Sequence, residues 1–235
     1  MNVDGRLAAL ALQYDLPPSA PGALRALLGL ACGGPTAPTT VREPAIAVDV
    51  HVADALVALQ LPQVRSARTI ADLGSGAGVP GLVLAAARPD AEVALVESNH
   101  RKCAFLERAA ARMDLANVVI VPERAESWAQ GLGSRGLVTA RALAPLPVLV
   151  EYAAPLLMPG GALVAWKGRR DDVEEADGAA AAAATGLERG EVVPVRPWSG
   201  AERLHLHLYV KVGLTPDHYP RRPGIASKRP LRASG

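Results

Sequence analysis

The sequence predicts an α/β protein, built on a mostly parallel sheet covered by helices, with a terminal antiparallel element and a small helical cap in front. Three observations carry that expectation. From residue 68 onward, short apolar runs alternate with helical patterns, the mark of βαβ units. The runs "IADL", "VALVE" and "ALVAW" are apolar at nearly every position, as strands covered on both faces must be. Farther on, "GEVVPVRP" and "RLHLHLYVKV" alternate with period two, which suits an antiparallel pair with one wetter face.

Taken in order, "GRLAALALQY", a turn at "LPPSAPG", "ALRALLGLA", a Gly/Pro/Thr-rich loop from Cys32 to Thr40 and "PAIAVDVHVADALVAL" predict a helical cap over 1–60. The sheet domain follows over 61–213. Its strands are expected at "RTIADL", "AEVALVE", "NVVIV", "GLVTAR" and "GALVAWK", and its helices at "VPGLVLAAAR", "HRKCAFLERAAARM", "AESWAQ" and "PLPVLVEYAAPLLM". "DDVEEADGAAAAAATGLERG" is low in complexity, but alanine is the best helix former, so a surface helix is expected there and not a linker. The segment 214–235 carries Arg221, Arg222, Lys228, Arg229 and Arg232 with no acid after Asp217. Its prolines oppose a regular helix, which predicts a basic, extended arm.

With 235 residues, half of them hydrophobic, and a net charge of +2, the composition is that of an ordinary soluble globular protein. Any nucleic-acid surface must therefore be local. Cys32 and Cys103 share no metal-ligand spacing, and reduced thiols in a cytoplasmic protein are expected. The start has no basic stretch before its apolar run, and nothing approaches 18 uninterrupted apolar residues, so neither export nor a membrane partner is expected. His205 and His207 project to one side of a strand without acid or cysteine partners, so no metal is expected.

The chemistry is concentrated in "ADLGSGAGVPG", residues 71–81. Gly76, Gly78 and Gly81 satisfy G-x-G-x-x-G, and Glu97 follows about 20 residues on, a fingerprint that at face value reads as dinucleotide binding. The physics is shared by any adenosine-bearing cofactor: glycines allow close backbone approach, and an acid on the next strand accepts from ribose hydroxyls. Asp72 separates the two readings. A carboxylate at the strand tip repels a pyrophosphate by roughly 1 to 4 kcal/mol at effective dielectrics of 80 to 20. It attracts the ammonium and sulfonium of S-adenosylmethionine, which is the favoured cofactor, with NAD as the rival. His51 and Asp54, spaced i and i+3, read as a helix-surface pair, against contact with cofactor or substrate. Trp128, Trp166 and Trp198 read as core or rim packing, with Trp166 beside Lys167 at the edge of a pocket.

With the loop read this way, the chain resembles the class I methyltransferases, and more closely the ribosomal RNA small-subunit methyltransferase G (glucose-inhibited division protein B) family. "DLGSGAGVPGLVLA", "ESNHRKCAFL", "NVVIVPERAES", "ARALAPL", "GGALVAWKG", "ERLHLHLYVK" and the tail "YPRRPGIASKRPL" carry the likeness from about His51 to Leu231. The tail is the most specific piece, because general methyltransferases lack it. The resemblance implies a Rossmann-like seven-stranded sheet and methyl transfer to guanine N7 of 16S ribosomal RNA, in the free RNA or the small subunit, by a monomeric protein. It places Asp72, Gly74, Gly76, Gly78 and Gly81 at the cofactor, Glu97 on the ribose, and Ala125 with Glu126 at the adenine edge. Arg141 and Lys167 face the incoming nucleotide as the catalytic pair, and Arg203, Arg221, Arg222, Lys228 and Arg229 bind RNA. The chain departs from the family pattern at Pro38, Thr39, Thr40, Val50, Ala55, Leu204 and Ala226. These changes bear on the RNA target and leave the cofactor half intact. A paralogue acting on another RNA or a small molecule, and a non-catalytic RNA-binding module, are the rival readings.

Overall fold

The structure is a computed structural model in which residues 2–33 and 38–233 are described. The Cys32–Thr40 loop expected from sequence falls partly outside them. The cap begins with α1 (Val3–Tyr14), whose first turn is capped by the Asn2 side chain accepting from the Gly5 N–H, followed by α2 (Ala20–Cys32). The stretch read as helical over 44–59 changes register along its length. It runs as α3 (Pro44–Ala47), a π-helical segment (Val48–Ala53), α4 (Asp54–Leu56) and a 3₁₀ turn (Val57–Gln60). After α5 (Pro62–Ser66), β1 (Thr69–Leu73) opens the alternating region.

There follow α6 (Gly81–Ala87), β2 (Glu92–Val96), α7 (His100–Arg112), β3 (Val118–Val121), β4 (Arg135–Arg141), α8 (Leu146–Ala153) and β5 (Leu157–Lys167). Helix α9 (Asp172–Thr185), β6 (Leu187–Val195), β7 (Leu204–Lys211) and α10 (Ile225–Lys228) complete the chain. The alanine-rich segment is thus a helix, started by the Asp171 carboxylate accepting from the Glu174 N–H and ended by Gly186 in the left-handed conformation. "AESWAQ" is not a helix. It forms two 3₁₀ turns, because Trp128 folds its ring over Gly131, where even a Cβ would lie 2.4 Å from it.

Among the described residues, seven strands form one sheet in the order β3-β2-β1-β4-β5-β7-β6. Strands β1 to β5 are parallel, and β7 runs antiparallel between β5 and β6. The period-two pair is therefore β6 and β7, with the last strand inserted one position inside the edge. Alternate residues of each strand feed opposite layers. Ile70, Val93, Leu95, Leu137, Val164 and Leu206 pack with the cap, α6 and α7. Ala71, Leu73, Val96, Val138, Leu163 and Tyr209 pack with α8, α9 and the C-terminal segment. The cap thus shares one continuous core with a face of the sheet.

The basic, extended arm expected over 214–235 is corrected by the structure. Residues 219–233 are folded back onto α8 and α9, and Ala226 on the short α10 is buried in the second layer. The reason is electrostatic: Glu151, 1% exposed in the otherwise apolar α8, needs a cation and takes the Arg221 guanidinium at 2.8 and 2.5 Å.

Two glycines with opposite surroundings test the packing. At Gly81 a Cβ would lie 2.3 Å from Leu95 Cδ2 and 2.7 Å from Asp72 Oδ2, whereas at Gly29 in α2 it would meet nothing within 4 Å. Gly81→Ala is expected to lower unfolding free energy by about 1–3 kcal/mol, and Gly29→Ala to raise it by about 0.5–1 kcal/mol, both measured by urea denaturation.

Candidate functional site

Strands β2 and β4 flank β1 on opposite sides, so the chain leaves the sheet in two directions at the carboxyl ends of these strands, opening a crevice there. The loop after β1 lines it. Gly74, Gly76 and Gly78 have φ of +66°, +55° and +82°, conformations that only glycine adopts without strain. The Gly74 N–H donates to the Val96 carbonyl at 2.8 Å, docking the loop on the tip of β2. The four glycines then divide. The space over Gly76 is open, where a Cβ would meet only the Gly74 carbonyl oxygen at 3.6 Å, and Gly74 lines the groove. Gly78 and Gly81 do not face the groove as expected, because their missing side chains make room for Leu82 and for Leu95 with Asp72.

Asp72 is also displaced from its expected role. Its carboxylate is 1% exposed, with Oδ1 accepting from the Thr139 hydroxyl at 2.9 Å and Oδ2 from the Gly81 N–H at 3.1 Å. It clasps the glycine loop to β4 from beneath and offers no free oxygen to the groove. Burial pushes its pKa from the ordinary 3.8 up to about 6, against the hydrogen bonds from Thr139, Ser75 and Gly81 that favour the anion.

Glu97 lies one residue past β2 and lines the groove. Its Oε2 accepts from the Gly76 N–H at 3.1 Å and its Oε1 from the Asn99 N–H at 2.8 Å, with Lys102 Nζ at 3.9 Å. Each carboxylate oxygen has further lone-pair capacity for hydroxyl donors. Ala125 and Glu126, in the first 3₁₀ turn, line the same groove, together with Tyr152 and Ser227, which sequence reasoning missed. The groove holds about 390 Å3. Its wall carries three carboxylates, Glu97, Glu123 and Glu126, against two cations, Lys102 and Arg124. A cationic adenosine compound fits such a lining, whereas a pyrophosphate would lie among like charges.

A second cavity of about 270 Å3 shares Ala142 with the groove and is lined by Asp54, Arg141, Trp166, Lys167, Gly168 and Leu204. Arg141 ends β4 and Lys167 ends β5, so both expected residues meet here on one edge. The π-helical segment aims the cap at Arg141. In it the Asp54 N–H bonds the carbonyl of Asp49 and not that of Val50, and the Val50 carbonyl accepts from Arg141 Nη1 at 2.8 Å. Asp54 Oδ2 accepts from the same nitrogen at 2.7 Å, and His51 Nδ1 lies 3.3 Å from Nη2. A guanidinium has no acceptor, so Nδ1 must accept and the His51 proton sits on Nε2, 3.0 Å from Thr39 Oγ1. Burial, and then the Arg141 charge, lower the His51 pKa in keeping with a neutral ring. His51 and Asp54 are therefore buried partners of Arg141, not a helix-surface pair. Lys167 Nζ pairs with Glu174 Oε1 at 2.5 Å, and Trp166 donates its indole N–H to the Asp54 carbonyl at 2.8 Å.

Of the expected RNA contacts, Arg203, Arg222, Lys228 and Arg229 are exposed. Arg221 is not available, being held by Glu151. His205 Nδ1 lies 2.9 Å from the Gly168 carbonyl, His207 is buried, and no metal-holding group occurs among the described residues.

The state of Asp72 is testable. Between pH 4 and about 6 the folded protein binds more protons at this site than the unfolded chain, so the stability it contributes is lost as pH rises through about 6. In an Asp72→Asn variant that contribution is absent. The stability difference between wild type and variant, from urea unfolding at pH 4, 6 and 8, is expected to move against the wild type by up to about 3 kcal/mol.

The model of the family described as rRNA small subunit methyltransferase G matches residues 37–197. The chain is 40% identical over 200 residues to the ribosomal RNA small subunit methyltransferase G of Rubrobacter xylanophilus, covering 83% of this chain and 77% of that protein. It is also 40% identical over 198 residues to the protein of that name from Chloroflexus aggregans, covering 82% of each. Among solved structures, it is similar to a mutant 16S rRNA (adenine(1408)-N(1))-methyltransferase from Catenulisporales acidiphilia, with TM-score 0.54, 19% identity, and 66% of this chain and 90% of that one covered. It also resembles Aeropyrum pernix fibrillarin in complex with S-adenosyl-L-methionine, with TM-score 0.52, 20% identity, and 67% and 72% covered. Those two likenesses establish the fold, and the sequence matches establish that the chain belongs to the rRNA small subunit methyltransferase G family.

Proposed function

We propose that this protein transfers the methyl group of S-adenosylmethionine to N7 of a guanine in 16S ribosomal RNA. The observation that carries this reading is the groove with excess carboxylate opening beside a cavity that holds Arg141 and Lys167, on one sheet edge in a chain of this family. Glu97 and the open face of Gly76 would hold the donor, with Ala125 and Glu126 at its adenine. Bound there, S-adenosylmethionine supplies an electrophilic methyl on a sulfonium.

Guanine N7 carries a free lone pair at neutral pH, so no side chain has to remove a proton. The protein's work is placement, which supplies up to roughly 7 to 11 kcal/mol in favourable cases. Three of the five Arg141 N–H donors are taken by Val50, Asp54 and His51, leaving two for guanine O6 or a phosphate. The Asp54 carboxylate and a neutral His51 offset the Arg141 charge beside a purine that becomes cationic on methylation.

RNA is held by cations at the same edge. Arg124, Arg169, Arg196 and Arg203 are exposed in the loops around β3, β5, β6 and β7, and none pairs with a carboxylate among the described residues. Arg222, Lys228 and Arg229 extend the patch. The substrate is ribosomal RNA or the small subunit, met in the cytoplasm by a monomer. No described helix is long and apolar enough to cross a membrane. Of the family departures, Leu204 lines the nucleotide cavity, whereas Val50 contributes its carbonyl, which a side-chain change preserves.

Gly76→Val is expected to abolish binding of S-adenosylhomocysteine in calorimetry. Arg141→Ala should keep that affinity and lose methyl transfer to small subunits on the order of a hundredfold. Equal loss of affinity in both would refute the division of labour. Removing Arg169 and Arg203 should flatten the salt dependence of RNA binding by about one unit of slope per cation. Nucleoside mass spectrometry of 16S RNA from cells lacking the gene should show 7-methylguanine missing, and an unchanged profile would reject the target.

A further inference from the structure

A third cavity, of about 730 Å3, opens where α1, the π-helical segment and the loop from β6 to β7 meet. It lies on the working edge, because β7 starts beside the end of β5, with His205 paired to Lys167. Two elements wall both this cleft and the nucleotide cavity. The π-helical segment gives Asp49 to the cleft and leads into Asp54 of the cavity, while the β6–β7 loop gives Arg196 and Trp198 to the cleft and leads into Leu204 of the cavity. Arg6 ties these elements together, donating from Nε to Asp49 Oδ1 at 2.8 Å and from Nη2 to the Pro197 carbonyl at 3.1 Å. Its other three N–H donors are unengaged among the described residues. Arg196 is exposed and pairs with no carboxylate among those residues. Of the tryptophans, Trp128 and Trp166 are buried, whereas Trp198 is half-buried and its indole N–H has no acceptor among the described residues.

We propose that this cleft is a second RNA subsite, in which a base flanking the target guanine stacks on Trp198 while Arg196 and the unengaged Arg6 donors hold its phosphate or its edge. This rests on the RNA-substrate reading above. Two guanidinium groups line the cleft against one carboxylate, and that carboxylate, Asp49, is already taken by Arg6. An aromatic face among arginines is the chemistry that holds an unstacked base of a single strand, since every base presents a π-face and every linkage an anion. The shared walls put the cleft next to the base in the nucleotide cavity, which favours the same RNA strand over a protein partner. Trp198 and Arg196 bind substrate and take no part in methyl transfer.

The test is tryptophan fluorescence of the full chain titrated with single-stranded oligoadenylate, and with inorganic polyphosphate, which has the charge and no base. Oligoadenylate should quench wild-type emission and bind more tightly than polyphosphate. Trp198→Phe keeps an aromatic face, so it should lose the quench and retain most of the affinity. Trp198→Ala should weaken oligoadenylate binding about five- to a hundredfold and leave polyphosphate binding unchanged, with native affinity for S-adenosylhomocysteine. Arg196→Gln should weaken both polyanions and lower the salt slope by about one unit. Equal oligoadenylate affinity in wild type and Trp198→Ala would overturn the inference. So would a quench that survives in Trp198→Phe, even if Trp198→Ala failed to fold. Weaker docking of Trp198→Ala on small subunits with unchanged oligoadenylate affinity would assign the cleft to a protein partner and overturn it too. A wild type that bound oligoadenylate through Trp198 but methylated no ribosomal RNA would overturn the function proposed above and leave the subsite standing.

Discussion

The working edge of this molecule depends on one buried carboxylate. Asp72 joins the Thr139 hydroxyl on β4 to the Gly81 N–H at the start of α6, and so draws the glycine loop across the point where the chain departs in two directions. An anion in that position loses its hydration, which is why its pKa is raised, and three neighbouring donors hold it in part. The geometry leaves little freedom. Gly81 can carry no side chain because Asp72 and Leu95 fill its space, and the loop above must adopt left-handed backbone to rejoin β2. The ligand-facing features, the open face of Gly76 and its hydrogen bond to Glu97, follow from that clasp.

The same device recurs at three other places. Asp54 brings the cap to Arg141, Glu151 brings the tail to the groove, and Glu175 gathers Arg170 and Arg189 beside α9. Buried ion pairs contribute little net stability, because desolvation offsets most of their attraction, but they discriminate sharply among arrangements. Asp54 ties the cap to the end of β4, Glu151 ties the tail to α8, and Glu175 ties α9 to β6 through Arg189. The apolar layers supply the stabilisation, and the paired charges set where the cap and tail come to rest.

Charge at this edge is graded. The groove proposed for the donor carries more carboxylate than cation, the cavity proposed for the nucleotide pairs each of its cations with an acid, and the surrounding loops expose arginines that pair with no carboxylate among the described residues. A net charge of only +2 is compatible with RNA binding because the unpaired cations are concentrated where the strands end. Neutral His51 belongs to the same scheme, since it supports the Arg141 guanidinium without adding a second positive charge.

Local chemistry made much of this legible in the chain. Strand positions followed from unbroken apolar runs, α9 from its alanines, the loop from its glycines, and the places of Glu97, Arg141 and Lys167 from their positions at strand ends. Periodicity and backbone preference act over a few residues, so they survive without knowledge of neighbours. What a carboxylate is bonded to does not. Asp72 read as a ligand contact and is a clasp, Arg221 read as an RNA contact and is the partner of buried Glu151, and His51 with Asp54 read as surface and are buried. The lone acid of "PLPVLVEYAAPLL" was the available signal that a distant cation had to exist, though not which one. Pairing across 70 to 90 residues is decided by tertiary burial, which removes water and forces each charge to find its partner.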